Sequence, residues 1–201
     1  MKTIERSEIL DLGAYEAVRE RFRARVIQDK KRRRVQLGPK ASALFENRDT
    51  VLLQIQEMLR TERITRPDAV DHEIATYNEF IPGRDELSCT IMIEIADAKE
   101  RDGFLAAALG FEKHVWLRTG EHRVRARGDE RGEEGAGRTT AVHYLKFVLP
   151  APVAQLLRAG PANGAAGAFP EVALEVDHPA YQVHAPVARE TLLELGADLR
   201  A

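Results

Sequence analysis

Apolar residues recur at helical spacing over residues 12–31, where Tyr15, Val18, Phe22 and Val26 are interleaved with Glu16, Arg19, Glu20 and Arg23. This spacing predicts an amphipathic first helix. It runs into Lys30, Lys31, Arg32, Arg33 and Arg34, a cation cluster suited to the negative end of a helix dipole. Residues 35–37 then read as a short strand broken by Gly38-Pro39, and 41–45 as a second extended piece. Asn47 or Asp49 can cap the next helix, whose buried stripe is Val51, Ile55, Met58 and Leu59, widened by Leu52. Pro67 suits the first turn of a third helix, in which Val70, Ile74, Tyr77 and Ile81 share a face and Pro82-Gly83 marks the end. The short joint between these two helices predicts an antiparallel hairpin.

The period changes after Gly83. Residues 87–95 form a β-branched run too short for a core helix, and predict a strand. A helix is expected over 97–109, then a β-hairpin from 114–119 and 123–127 turning at Gly120-Glu121. Residues 127–138 read as a solvated loop, 141–149 as a strand and 152–158 as a short helix. The Gly/Ala-rich stretch 160–169 reads as a flexible loop. Strands at 172–176 and 180–185 flank His178-Pro179, and a helix over 188–199 closes the chain. The expected fold is α+β and a single domain over 1–201: an N-terminal helical part over about 1–83, with its helix hairpin, packed on a mostly antiparallel sheet formed from about 84–201.

Composition narrows the function classes. With 201 residues, 44% hydrophobic and 31% charged, the chain can bury a core without staples. The formal net charge of -2 supplies no global field to gather nucleic acid or acidic lipid. Cys89 stands alone, the first residues lack the apolar run of a secretory signal, and no stretch approaches the ~20 apolar residues of a membrane span. A cytoplasmic protein is expected.

Two groups of residues are candidates for chemistry. His72-Glu73 begins like the zinc-binding HExxH helix, but Thr76 occupies the place of the second histidine. Glu46, Glu57, His72 and Glu73 could converge between packed helices, although neither helix has the Glu-x-x-His pair of di-iron bundles. With Arg48 as an anion clamp, and Tyr77 and Asn78 on the third helix, these residues make a candidate polar cluster. Its bland alternative is capping and solvation.

The second group is basic: Arg32, Arg33 and Arg34, joined by Arg118, Arg123, Arg125 and Arg127 on the predicted hairpin. Alternation would put the last three on one strand face. As a footprint for nucleic acid it is weakened by Asp129, Glu130, Glu133 and Glu134, which follow at once. Cys89 fits a small buried hydrophobe inside its strand. Phosphate-loop, dinucleotide-binding and nucleophile-elbow patterns are missing, no catalytic residue is assigned and no cofactor is evident.

Residues 31–35, 44–51, 54–60 and 77–82, above all the stretch Phe45, Glu46, Asn47, Arg48, Asp49 and Thr50 continuing to Met58, carry a resemblance. The chain resembles the bacterial domain-of-unknown-function family 3501 along essentially its whole length. The resemblance brings no activity and no catalytic residues. It does imply partners, because members are often encoded beside rubrerythrin-like and iron–sulfur oxidoreductase proteins. A single cysteine cannot supply the usual thiolate set of an iron–sulfur cluster. The leading expectation is therefore a non-catalytic accessory or binding protein of a redox or oxidative-stress module. An enzyme or metal-binding protein built on the polar cluster is the alternative, and an electrostatic nucleic-acid binder the third.

Overall fold

A computed structural model describes residues 1–128, 137–161 and 169–201. The first helix, α1, is Leu12–Arg32, opened by Asp11, whose side chain accepts the Ala14 N–H at 2.9 Å. α2 spans Arg48–Thr61 and is capped by Asn47 in a reciprocal box: Thr50 N–H donates to the Asn47 side chain, and Asn47 N–H to the Thr50 hydroxyl, both at 2.9 Å. α3 is Pro67–Asn78, with proline in its first turn as expected. It stops short of the predicted end. Phe80 and Ile81 instead bond back three residues, to the carbonyls of Tyr77 and Asn78. This tighter winding still delivers Ile81 to the core.

The strands form two antiparallel sheets. The first has the order β1 (Arg34–Leu37), β2 (Ala41–Glu46), β3 (Glu86–Ile93), β7 (Val142–Val148), β6 (Arg127–Gly128). The second has the order β5 (His122–Arg125), β4 (Val115–Thr119), β8 (Val172–His178), β9 (Tyr181–Pro186). α4 (Ala98–Ala107), α5 (Ala151–Ala159) and α6 (Arg189–Asp198) complete the described elements. The α+β class stands, with two refinements of the expected architecture. The sheet is two sheets, and β1 and β2 belong to the first although they come from the part read as helical. Residue pattern shows that a stretch is extended but not what it pairs with; here Ala43 lies opposite Ile91 and Phe45 opposite Cys89.

The predicted second strand of the hairpin also divides. Val124 lies opposite Leu117 in the second sheet, Ala126 donates its N–H to the Val115 carbonyl, and Arg127 then crosses to pair with Lys146 in the first sheet. Residues 129–136 of the expected solvated loop and 162–168 of the Gly/Ala-rich loop lie outside the described residues.

The larger core joins the inner faces of both sheets to α4, α5 and α6, around Phe45, Ile91, Phe111, Leu117, Phe147, Leu157 and Leu174. A smaller one holds Ile4 against α2 and α3 through Val51, Ile55, Leu59, Val70, Ile74 and Tyr77. Phe80, just past α3, stacks on Tyr144 of the first sheet's other face at 4.0 Å. α1 contributes less than its pattern suggests. Tyr15 and Val26 are buried, whereas Val18 and Phe22 remain half-exposed.

Candidate functional site

No side-chain hydrogen bond or ion pair links any two of the seven residues of the expected polar cluster. Glu46, at the end of β2, accepts the hydroxyls of Thr90 at 2.6 Å and of Thr50. Arg48 pairs with Glu8 and donates to the Lys2 carbonyl at 3.1 Å, tying α2 to the chain's first residues. Glu57 accepts two bonds from Arg19, both at 2.8 Å, and one from the Tyr15 hydroxyl at 2.6 Å. The Arg19 guanidinium, helped by Tyr15, brings the Glu57 carboxyl down to about 2. Burial, then Glu57, pushes the Tyr15 hydroxyl up. Asn78 exchanges both its amide bonds with Ile4, at 2.8 and 2.9 Å. Tyr77 is buried edge-on to Phe80, His72 is exposed and Glu73 half-exposed on α3. Among the described residues no group of three or more His, Cys, Asp or Glu is placed to hold a metal ion.

The expected basic patch separates in the same way. Arg33 is 2% exposed and bound by Asp29 at 3.0 Å, Glu194 at 3.1 Å and Asp198. Arg32 pairs with Glu194 at 2.8 Å and Asp29 at 3.0 Å. Arg34 donates to the Ser42 hydroxyl at 2.6 Å. The run therefore fastens α1 to α6 instead of forming an open cationic surface.

Arg123 and Arg125 are placed differently, on the outer face of the second sheet. The Arg123 guanidinium lies 4.1 Å from the ring centre of Trp116, and bonds Glu175 at 3.0 Å and Asp177 at 2.7 Å. Arg118 reaches Glu175 at 3.2 Å, His114 lies 2.9 Å from Asp177, and His184 bridges Glu171 at 2.8 Å and Glu175 at 3.1 Å. Burial alone would raise the Asp177 carboxyl, but the Arg123 guanidinium, with His114, outweighs it and holds the group at about 2. Glu175 is likewise brought below its ordinary value, burial being outweighed by His184, Arg118 and Arg123. Its bond to Glu175, then that to Glu171, raises the His184 imidazole. On this face acids and cations satisfy one another.

Beside it the balance fails. A groove of about 1430 Å³ lies where the chain passes from β5 to β6, lined by residues 123–128 and by Glu112, Lys113 and His114 among others. Glu112 sits in a short 3-10 turn, Phe111–His114, entered through Gly110 at φ +81. It is 8% exposed, and neither carboxylate oxygen has a hydrogen-bond partner among the described residues. Lys113 Nζ lies 3.7 Å from its Oε1. Gly128 closes over it so tightly that a Cβ there would lie 3.3 Å from Glu112 Cγ. Around this acid stand cations that no described carboxylate neutralises: Arg125, whose Nε donates to the Lys113 carbonyl at 3.0 Å, and Arg127.

The backbone adds a further feature. β5 and β6 are edge strands. Because Ala126 N–H bonds β4, alternation in the antiparallel pair turns the N–H and C=O of Arg123 and Arg125 away from it. Sequence reasoning singled out Arg123 and Arg125 but missed Glu112 and Lys113, which fell between a helix and a strand. Their signal is slight: an acid directly after Phe111, in a turn too short to carry a period.

Two antiparallel sheets, with helices packed on them and a cation-rimmed groove where β5 runs into β6, define an α+β protein. A family model described as "Protein of unknown function (DUF3501)" matches residues 3–199, and the chain belongs to that family. It is also similar to a protein of unknown function from Burkholderia pseudomallei, known from a crystal structure: 34% identity, 98% of this chain and 100% of that one covered, TM-score 0.88. No curated protein matches. No described helix is long and apolar enough to cross a membrane.

Proposed function

We propose that this protein is a non-catalytic binding protein that holds an extended, acidic segment of a partner in the groove between β5–β6 and the Phe111–His114 turn. The observation that carries this reading is the coincidence of Arg125 and Arg127, two cations on the groove that no described carboxylate neutralises, with the outward-facing backbone of Arg123 and Arg125. The cations attract acids. An extended peptide offers acids and backbone together, since its N–H groups and alternate side chains can face one edge strand. A nucleic-acid backbone matches the cations but has no ladder of N–H and C=O groups to pair with the edge strand. Rubrerythrin-like and iron–sulfur oxidoreductase proteins, the neighbours implied by the family resemblance, are the partners in which to seek such a segment. That would make the protein an accessory of a redox or oxidative-stress module.

Trp116 is the chain's one tryptophan and lies beneath Arg123, so its fluorescence reports on the rim of the groove. A decapeptide alternating Glu and Thr is expected to change that fluorescence saturably, with affinity falling as salt is raised. Replacing Arg125 and Arg127 together by Glu should weaken binding at least about tenfold, or ~1.4 kcal/mol. A flat titration, or one indifferent to the double substitution, would overturn the proposal.

A further inference from the structure

A second concavity lies between α1 and α2, well separated in the chain from the groove and independent of it. It encloses about 430 Å³, within the ~300–1,000 Å³ of small-molecule sites. Its walls are Leu10, Val18, Phe22 and Leu52. Val18 and Phe22 are the members of the α1 stripe that the core leaves half-exposed, and Leu52 is the residue that widened the α2 stripe beyond what the hairpin buries. Apolar positions that folding buries only in part therefore meet in one place.

The polar groups around the pocket are nearly all committed elsewhere. Gln56 is bonded through its side chain to the N–H and carbonyl of Leu10, at 2.8 and 3.2 Å. The Tyr15 hydroxyl is held by Glu57, Glu8 by Arg48, and Arg25 by Asp49 at 3.0 Å. Arg21 is the exception. It lines the pocket, is exposed, and has no hydrogen bond or ion pair with any described residue. An apolar cavity with one uncommitted guanidinium at its side suits a ligand with an apolar body and a single negative end.

We infer that this pocket binds an aliphatic carboxylate: the chain lies against Leu10, Val18, Phe22 and Leu52, and the carboxylate pairs with Arg21. No bond is made or broken. The same chemistry can come from a free fatty acid or from the acyl edge of an anionic lipid surface, and adsorption to vesicles distinguishes the two.

Dodecanoate, titrated calorimetrically below its micellar concentration, tests the inference in the intact chain. One equivalent should bind, and shortening the chain by two carbons should weaken binding about tenfold. Arg21→Gln, on an exposed side chain, should weaken it severalfold without changing the melting curve, and Val18→Trp should abolish it by filling the cavity. Dodecyltrimethylammonium should not bind. Absence of a saturable heat, equal binding of the cationic amphiphile, indifference to Arg21→Gln, or adsorption only to phosphatidylglycerol vesicles would each overturn the inference. Because Arg21→Gln leaves the walls intact, the outcome does not depend on Val18→Trp folding.

Discussion

Glu57 and Glu112 show how differently one residue type can be used. Glu57 joins α2 to α1 through Arg19 and Tyr15, and its carboxyl is held at about 2 against an ordinary 4.5. A depressed carboxyl stabilises the fold above its unfolded value and loses that contribution as pH falls toward its folded one. Chemical denaturation should therefore show Glu57→Gln less stable than wild type by about 1–2 kcal/mol at pH 7, a charged-pair value reduced for partial exposure. The difference should shrink from about pH 4.5 downward and vanish near pH 2. A gap unchanged at pH 2 would mean that the charge is not what holds the helices. The sequence marked Glu57 as polar on a helix, but its partners lie 38 and 42 residues away, beyond the reach of any local pattern. Glu112 had no such signal. Its importance comes from what surrounds it: Gly128, Lys113 and the arginines of a strand that follows it in the chain.

At the scale of elements, most of the fold was legible. The helices α1 to α6 and the longer strands lie within a few residues of where periodicity and turn residues placed them, because helical spacing, the Asn47 cap and Pro67 are local signals. What pairs with what was not legible. Arg123, Arg125 and Arg127 alternate like one strand, yet Ala126 hands the chain from one sheet to the other, and only long-range pairing to Val115 and Lys146 settles that. The basic run at the end of α1 likewise reads as dipole complementation, whereas Arg33 is buried among Asp29, Glu194 and Asp198 of two elements. Removing it strands those acids. Arg33→Ala should cost about 3–5 kcal/mol in urea denaturation, against no more than about 1 kcal/mol for the more exposed Arg34→Ala. Similar small losses for both would show that the α1–α6 junction is held by apolar packing and not by its charges.

At the scale of the molecule, β5 at the edge of one sheet runs into β6 at the edge of the other, and the groove lies at that junction. Their inner faces are filled by core, and the outer face of the second sheet is neutralised by its own acids. Unmet charge on Arg125 and Arg127 and the outward-facing backbone of Arg123 and Arg125 coincide beside a buried carboxylate. The family membership extends this architecture over residues 3–199 and leaves the choice of partner to chemistry. Amide hydrogen exchange with and without the Glu/Thr decapeptide tests the groove most directly. Strand addition predicts slowed exchange at Arg123 and Arg125, whose N–H groups point away from β4, and no slowing when Arg125 and Arg127 lose their cations. Protection that appears elsewhere on the chain, or none at these two amides while the peptide is bound, would contradict it.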